Sequence, residues 1–163
     1  MRAAALPTVA HRSLLLLGLA SLAALAMALA LQFLGGLEPC PLCIEQRYPY
    51  LAVMGVAALG LWLGRPRTFL ALAALILLFE IGLAGYHVGI EQGWLALPAS
   101  CAALEPATSI EQLRQQLATA PARCDQVAFT LLGLSLSAWN GIYALALLAV
   151  ALWGLIGRGP SAA

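Results

Sequence analysis

The stretch SLLLLGLASLAALAMALALQFLGGL, Ser13 to Leu37, contains no charged residue. As a helix, the 22 residues from Ser13 to Leu34 would run ~33 Å, enough to cross the hydrocarbon core of a bilayer. A cleaved signal peptide is the rival reading, with Arg2 and Arg12 as its basic start and Ala28-Leu29-Ala30 as its cleavage site. The apolar run is longer than the roughly 7 to 15 residues of a signal-peptide core, which favours a spanning helix. The whole chain supports this. Of its 163 residues 63% are hydrophobic and only 9% charged, more apolar than a soluble domain of this size can bury. Net charge is +1, every basic residue other than histidine is arginine, and no basic cluster is interleaved with aromatics, so nucleic acid is excluded as a partner.

Moving outward, Tyr48 to Gly64 is a second uncharged run, which the turn carrying Cys43 and Arg47 extends into a span over about 45–64. Gly64-Arg65-Pro66-Arg67 makes a tight connection to a third span over 68–90, interrupted by Glu80, so these two helices are antiparallel neighbours. Gly82, Gly85 and Gly89 recur there at helical spacing and mark a close-packed face. The last span covers about 137–157, with Ser137 as N-cap, Leu131 to Leu136 as an interfacial lead-in, and Trp139 and Trp153 as interface anchors. Between the third and fourth spans, residues 91–136 hold Pro98, Pro106, Pro121 and most of the remaining charge. Within them Ser109-Ile110-Glu111-Gln112 has the form of a capping box, and Ile110, Leu113 and Leu117 share a helical face. That predicts a short amphipathic helix, ended before Pro121, on the membrane surface or the bundle top. The expected fold is all-α: a single integral membrane domain, a four-helix bundle with one short extra helix in its long loop.

Four spans put both termini and the 65–67 turn on one side, and the loops 35–44 and 91–136 on the other. All four cysteines, Cys40, Cys43, Cys101 and Cys124, fall in those two loops and therefore face the same way. Arg2, Arg12, Arg65, Arg67 and Arg158 lie on the terminal side, where no acidic residue occurs. The positive-inside rule makes the termini cytoplasmic and the cysteines external, where disulfides persist.

Glu38-Pro39-Cys40-Pro41-Leu42-Cys43-Ile44-Glu45-Gln46-Arg47 is the stretch richest in chemistry. A c-type haem site needs His after the second Cys, and Ile44 stands there. Zinc needs two more ligands; Cys101 and Cys124 are 23 positions apart rather than a second close pair, so no metal site is expected. A reactive dithiol and a purely structural set of disulfides both stay open. On the structural reading, a Cys101 to Cys124 bridge would contribute about 3 kcal/mol on the chain-entropy model. For reactivity, Cys43 is placed at the start of the second helix with Arg47 one turn on, and both favour its thiolate. Arg47 can equally be read as an interfacial side chain reaching for water.

The pattern Pro39-Cys40-Pro41-Leu42-Cys43-Ile44-x-x-Arg47, four spans, a second cysteine pair in the long loop and Leu132-Gly133-Leu134 before the last helix together resemble the disulfide bond formation protein B (DsbB) family. These are bacterial inner-membrane thiol:quinone oxidoreductases. The resemblance implies multi-pass insertion in that membrane with periplasmic cysteine loops. It also implies reoxidation of a periplasmic DsbA-like, thioredoxin-like thiol oxidase, and transfer of two electrons to the quinone pool, ubiquinone or menaquinone. By position, Cys101 would form the mixed disulfide with the donor and Cys124 would be its loop partner. Cys124 would attack Cys40 and release Cys43 as a thiolate toward the quinone, with Arg47 beside the ring. Vitamin K epoxide reductase-type proteins are the enzyme rival, but in them the CxxC follows the loop pair. A non-enzymatic membrane subunit with disulfide-stapled loops is the alternative outside enzymology.

Two further residues are candidates for the quinone site or a proton route to it. Glu80, ~18 Å into its helix, is deep in the bilayer, and His87 lies seven residues on along the same face, level with the thiols. Their plainer readings are a neutral hydrogen-bonded carboxyl and an interfacial anchor.

Overall fold

A computed structural model describes residues 8–101, 108–112, 114 and 122–157. The chain folds as an all-α bundle built on four long helices: α1 (Val9–Phe33), α3 (Arg47–Trp62), α4 (Pro66–Glu91) and α5 (Leu136–Ile156). A five-residue helix, α2 (Pro41–Glu45), precedes α3. The long helices pack in the ring α1, α3, α4, α5, with α5 returning to α1.

Three of them, α1, α4 and α5, are long and apolar enough to cross a membrane. Leu15, Leu19, Leu22, Leu75 and Phe79 on their outer faces are exposed, as lipid contact requires and water would penalise. The 16 residues of α3 span only ~24 Å and depend on α2 to approach the far interface. The chain is thus a helical membrane protein. Its core is a continuous layer of Leu14, Leu17, Val53, Leu70, Leu77 and Leu147 packed with the alanines Ala57, Ala73 and Ala151.

Local chemistry moves several boundaries from their expected places. α1 begins at Val9 rather than Ser13 because Thr8 caps it, its hydroxyl accepting the His11 N–H at 3.3 Å. The second helix is not continuous through Arg47. Pro49 has no N–H to give the Glu45 carbonyl four residues back, and α2 stops at Glu45. Pro41 in its first turn and Cys40 as N-cap start α2. For α5 the capping hydroxyl is that of Ser135, which accepts the Ala138 N–H at 3.2 Å, and not Ser137. The lead-in to α5 is a hairpin: β1 (Thr130–Leu131) pairs antiparallel with β2 (Leu134–Ser135). Leu132 and Gly133 turn the chain, both at positive φ (53° and 79°), the combination that matches strand twist in a two-residue turn.

The glycines that permit close helix approach are also not the expected ones. A Cβ on Gly154 would lie 2.6 Å from the Ser13 Cβ, and one on Gly60 would lie 2.5 Å from the Phe69 Cβ, whereas Gly82 and Gly85 face open space among the described residues. Gly89 packs instead against Leu95, in the segment after α4.

In the long loop, residues 110–112 and 114 are helical. Ser109 accepts the Gln112 N–H at 3.1 Å, while Gln112 reaches back to the Thr108 N–H and hydroxyl at 3.0 and 2.8 Å, a capping box shifted by one residue on its return side. Ile110 is exposed rather than packed on the bundle. Leu113, Leu117 and Pro121 lie outside the described residues.

Candidate redox site at the loop end of the bundle

The loop end collects all four cysteines. Cys101, in a single 3-10 turn (Ala99–Cys101), is disulfide-bonded to Cys124. Cys40 and Cys43 are free thiols, the first buried and the second half-buried. Cys40, Cys101 and Cys124 share one buried cluster with Leu42 and Ile90. The two pairs are therefore packed against each other.

The dithiol has a defined internal order. Its sulfurs are 2.6 Å apart, and the Cys43 N–H donates to Cys40 Sγ at 3.2 Å because Cys40 caps α2. On the other side, His87 Nε2 of α4 is 3.6 Å from Cys40 Sγ. The Cys43 thiol hydrogen-bonded to it is the largest influence on Cys40; with help from His87 and against burial, it brings the Cys40 thiol down to about 5. The same bond, followed by burial, pushes Cys43 well above the ordinary thiol range. In the reduced pair the anion belongs on Cys40. The sequence reading places it on Cys43, taken there as the helix start; α2 begins two residues earlier, at Pro41, so the capping position and its N–H bond fall to Cys40.

Behind Cys40 runs a polar chain. His87 Nε2 is 3.8 Å from Glu91 Oε1, which accepts a hydrogen bond from Ser137, whose hydroxyl is 2.9 Å from that of Ser135. His87 Nδ1 and Glu91 Oε2 are buried with no hydrogen-bond partner among the described residues.

In front of the dithiol is a cavity of about 670 Å³, within the range of small-molecule sites. Its wall is largely aliphatic and aromatic, from α1 (Met27, Leu31), the hairpin (Leu131) and α5 (Ile142, Tyr143), and includes Cys40 and Cys43. Arg47 lines it and donates to Gln32 Oε1 at 2.7 Å. Gln46 also lines it, and its buried Nε2 has no partner among the described residues.

Of the residues singled out from sequence, Cys40, Cys43, Arg47 and His87 thus meet around one cavity, and Cys101 and Cys124 pack behind it. Glu80 is not in the cavity wall. It is fully buried in α4 and receives a hydrogen bond from Asn140 Nδ2, while Asn140 Oδ1 accepts one from the Tyr50 hydroxyl at 2.6 Å. Asn140 and Tyr50 do line the cavity, so Glu80 stands one residue behind it. Gln32, Gln46, Glu91, Asn140 and Tyr50 escaped the sequence reading. Asn140 carried a usable signal, as a polar residue inside the last apolar run; the others sit at run edges, where polar residues are ordinary.

Comparison with known proteins settles the family. The family model described as disulfide bond formation protein DsbB matches residues 10–154. The chain belongs to that family. Disulfide bond formation protein B of Acinetobacter baumannii is 37% identical over 150 residues, covering 86% of this chain and 87% of that protein. The protein of the same name from Acinetobacter baylyi is 36% identical over 155 residues, with 89% and 90% covered. That from Azoarcus sp. is 37% identical over 147 residues, with 83% and 86% covered. Membership assigns the chain to disulfide bond formation, as a disulfide-forming oxidoreductase of the membrane.

Proposed function

We propose that this protein reoxidises a periplasmic DsbA-like dithiol oxidase and passes the two electrons to a membrane quinone, ubiquinone or menaquinone. The observation that carries the proposal is the packing of a closed disulfide, Cys101–Cys124, against a free dithiol that opens onto an apolar cavity. A disulfide exchanges by thiolate attack through a mixed disulfide, so a relay from a soluble donor into a membrane needs one pair for the donor and one at the bilayer edge.

In this scheme the donor's thiolate attacks Cys101, forming a mixed disulfide and releasing Cys124 as a thiolate. A second donor thiolate resolves the mixed disulfide, leaving an oxidised donor and a reduced Cys101. Cys124 attacks Cys40 of an oxidised Cys40–Cys43 pair, so that Cys43 leaves as a thiolate, and Cys101 then closes on Cys124, restoring the loop disulfide and leaving Cys40 and Cys43 reduced.

The residues at the cavity fit a quinone. Apolar walls suit its ring and tail, and the unpartnered Gln46 Nε2 and the Arg47 guanidinium supply donors for carbonyl oxygens. When bound, a quinone supplies a two-electron, two-proton acceptor. The chain's part is to present Cys43 in the cavity wall, to hold the Cys40 thiolate beside His87, and to keep the Glu91 carboxylate on the far side of His87. Glu80 acts through Asn140 as a positioning residue for that wall.

Arginine placement supports cytoplasmic termini and periplasmic cysteine loops in a bacterial inner membrane. The test is reoxidation of a reduced DsbA-like protein by purified protein plus quinone. Cys43→Ser and Cys101→Ser should each reduce turnover to background, and turnover surviving both would sink the relay.

A further inference from the structure

We propose that the reduced Cys40/Cys43 pair and His87 form a binding site for a thiophilic divalent cation, Zn2+ by its ligand set, which exists only while the pair is reduced. The ligand atoms, Cys40 Sγ, Cys43 Sγ and one ring nitrogen of His87, all lie within 4.8 Å of one another. Two thiolates and an imidazole are a set that zinc takes with its fourth position open, and C-x2-C is a common spacing for two of its ligands. Bonds of about 2.3 Å to sulfur and about 2.0 Å to nitrogen at tetrahedral angles need an S···N separation of roughly 3.6 Å. Cys40 Sγ and His87 Nε2 are 3.6 Å apart already. The two sulfurs, at 2.6 Å, have to part by about 1 Å to reach tetrahedral spacing. Cys43 can do so because it is half-buried and lines the cavity, which is also the ion's way in.

Glu91 adds a second, independent observation. Its carboxylate is 3.8 Å from His87 Nε2 and keeps one buried oxygen without a partner among the described residues, so it stands beside the ligand set and offsets part of the ion's charge without joining the set. Binding displaces the one proton that the thiolate–thiol pair still carries, Zn2+ + RS− + RSH → Zn(SR)2 + H+, and no electron moves. Oxidation of the pair to a disulfide removes both thiolates and expels the ion. Zinc would therefore hold the pair reduced, a metal-dependent brake on whatever accepts its electrons. The site stands on geometry alone and does not depend on the acceptor being a quinone.

The test titrates the full-length reduced protein in detergent with Co2+ under anaerobic conditions and then displaces the cobalt with Zn2+. One Co2+ per chain is expected, with a thiolate-to-cobalt absorption band and tetrahedral d–d bands that Zn2+ abolishes. Cys40→Ser or Cys43→Ser should remove the band, and Cys101→Ser with Cys124→Ser should leave it. His87→Ala should weaken binding at least about tenfold, the loss expected when even an outer partner of a metal ligand is removed. His87→Gln, checked for native helicity by circular dichroism, serves as the second variant should the alanine protein misfold. A band that survives in a folded His87 variant with unchanged affinity, or that follows Cys101 and Cys124, overturns the proposal.

Discussion

The two cysteine pairs share one buried cluster yet differ in almost everything else. Cys101 and Cys124 come from irregular loop 23 residues apart and are joined. Cys40 and Cys43 come from a single helical turn, are unjoined, and have a histidine, a capping N–H and a cavity around them. The loop pair is held by packing and a covalent bond, while the dithiol is held by hydrogen bonds that respond to its protonation. In the proposed relay the contrast is that between a station that meets the donor and a station that stores its electrons.

The largest expected effect breaks the contrast outright: Cys43→Ser or Cys101→Ser abolishes donor reoxidation, as proposed above. Next comes Arg47→Ala. Loss of a charge-assisted contact, roughly 1.5–3 kcal/mol, should raise the quinone KM by about 10- to 100-fold while leaving the rate of donor attack on Cys101 unchanged. Steady-state kinetics with quinone and donor varied in turn would separate the two, and an unchanged quinone KM would remove Arg47 from the site. Asn140→Ala leaves buried groups of Glu80 and Tyr50 without a partner, which costs about 1–3 kcal/mol each. Thermal unfolding in detergent should show this as a lower midpoint, with the Cys101–Cys124 disulfide intact.

The pH dependence of the dithiol sharpens the comparison further. Because Cys40 is lowered from the usual 9 to about 5, it is protonated below that value and a thiolate above it. Alkylation of reduced protein at Cys40, followed by mass spectrometry, should rise as pH passes through about 5 and level off well before 9, while Cys43, held as the unreactive thiol, stays largely unmodified over that range. A Cys40 midpoint near the ordinary thiol value would show that the capping bond and His87 do not hold the anion. The smallest effect belongs to the surface pair of Arg123 and Asp125, beside Cys124 and 2.6 Å apart. Arg123→Ala should leave unfolding unchanged, since exposed ion pairs contribute little.

Much of this was legible in the sequence for a physical reason. Uncharged runs long enough for a bilayer force helices, because lipid leaves no other partner for backbone N–H and C=O groups, and the cysteine motif is local. What escaped depends on contacts distant in sequence. Asn140 meets Glu80 across 60 positions, Ser137 meets Glu91 across 46, and Tyr50 meets Asn140 across 90. No periodicity within one helix encodes those pairs. The cap at Cys40 rather than Cys43 had a local cause that was readable: Pro41 suits the first position of a helix, which makes Cys40 its N-cap. Glycine spacing misled for the opposite reason. Gly82 and Gly85 have the periodicity of a packed face, but which face of α4 meets a neighbour is decided by the bundle, and it chose Gly60 and Gly154 on the other helices.

The central claim is that electrons pass between the pairs through a bond from Cys124 to Cys40, and a peptide map of Cys43→Ser tests it most directly. With Cys43 gone, the Cys40 thiolate can attack Cys124 and free Cys101, an exchange that needs no oxidant. The relay predicts a Cys40–Cys124 linked peptide under non-reducing conditions after alkylation of free thiols. Recovery of Cys40 wholly alkylated, with Cys101–Cys124 intact, would contradict it.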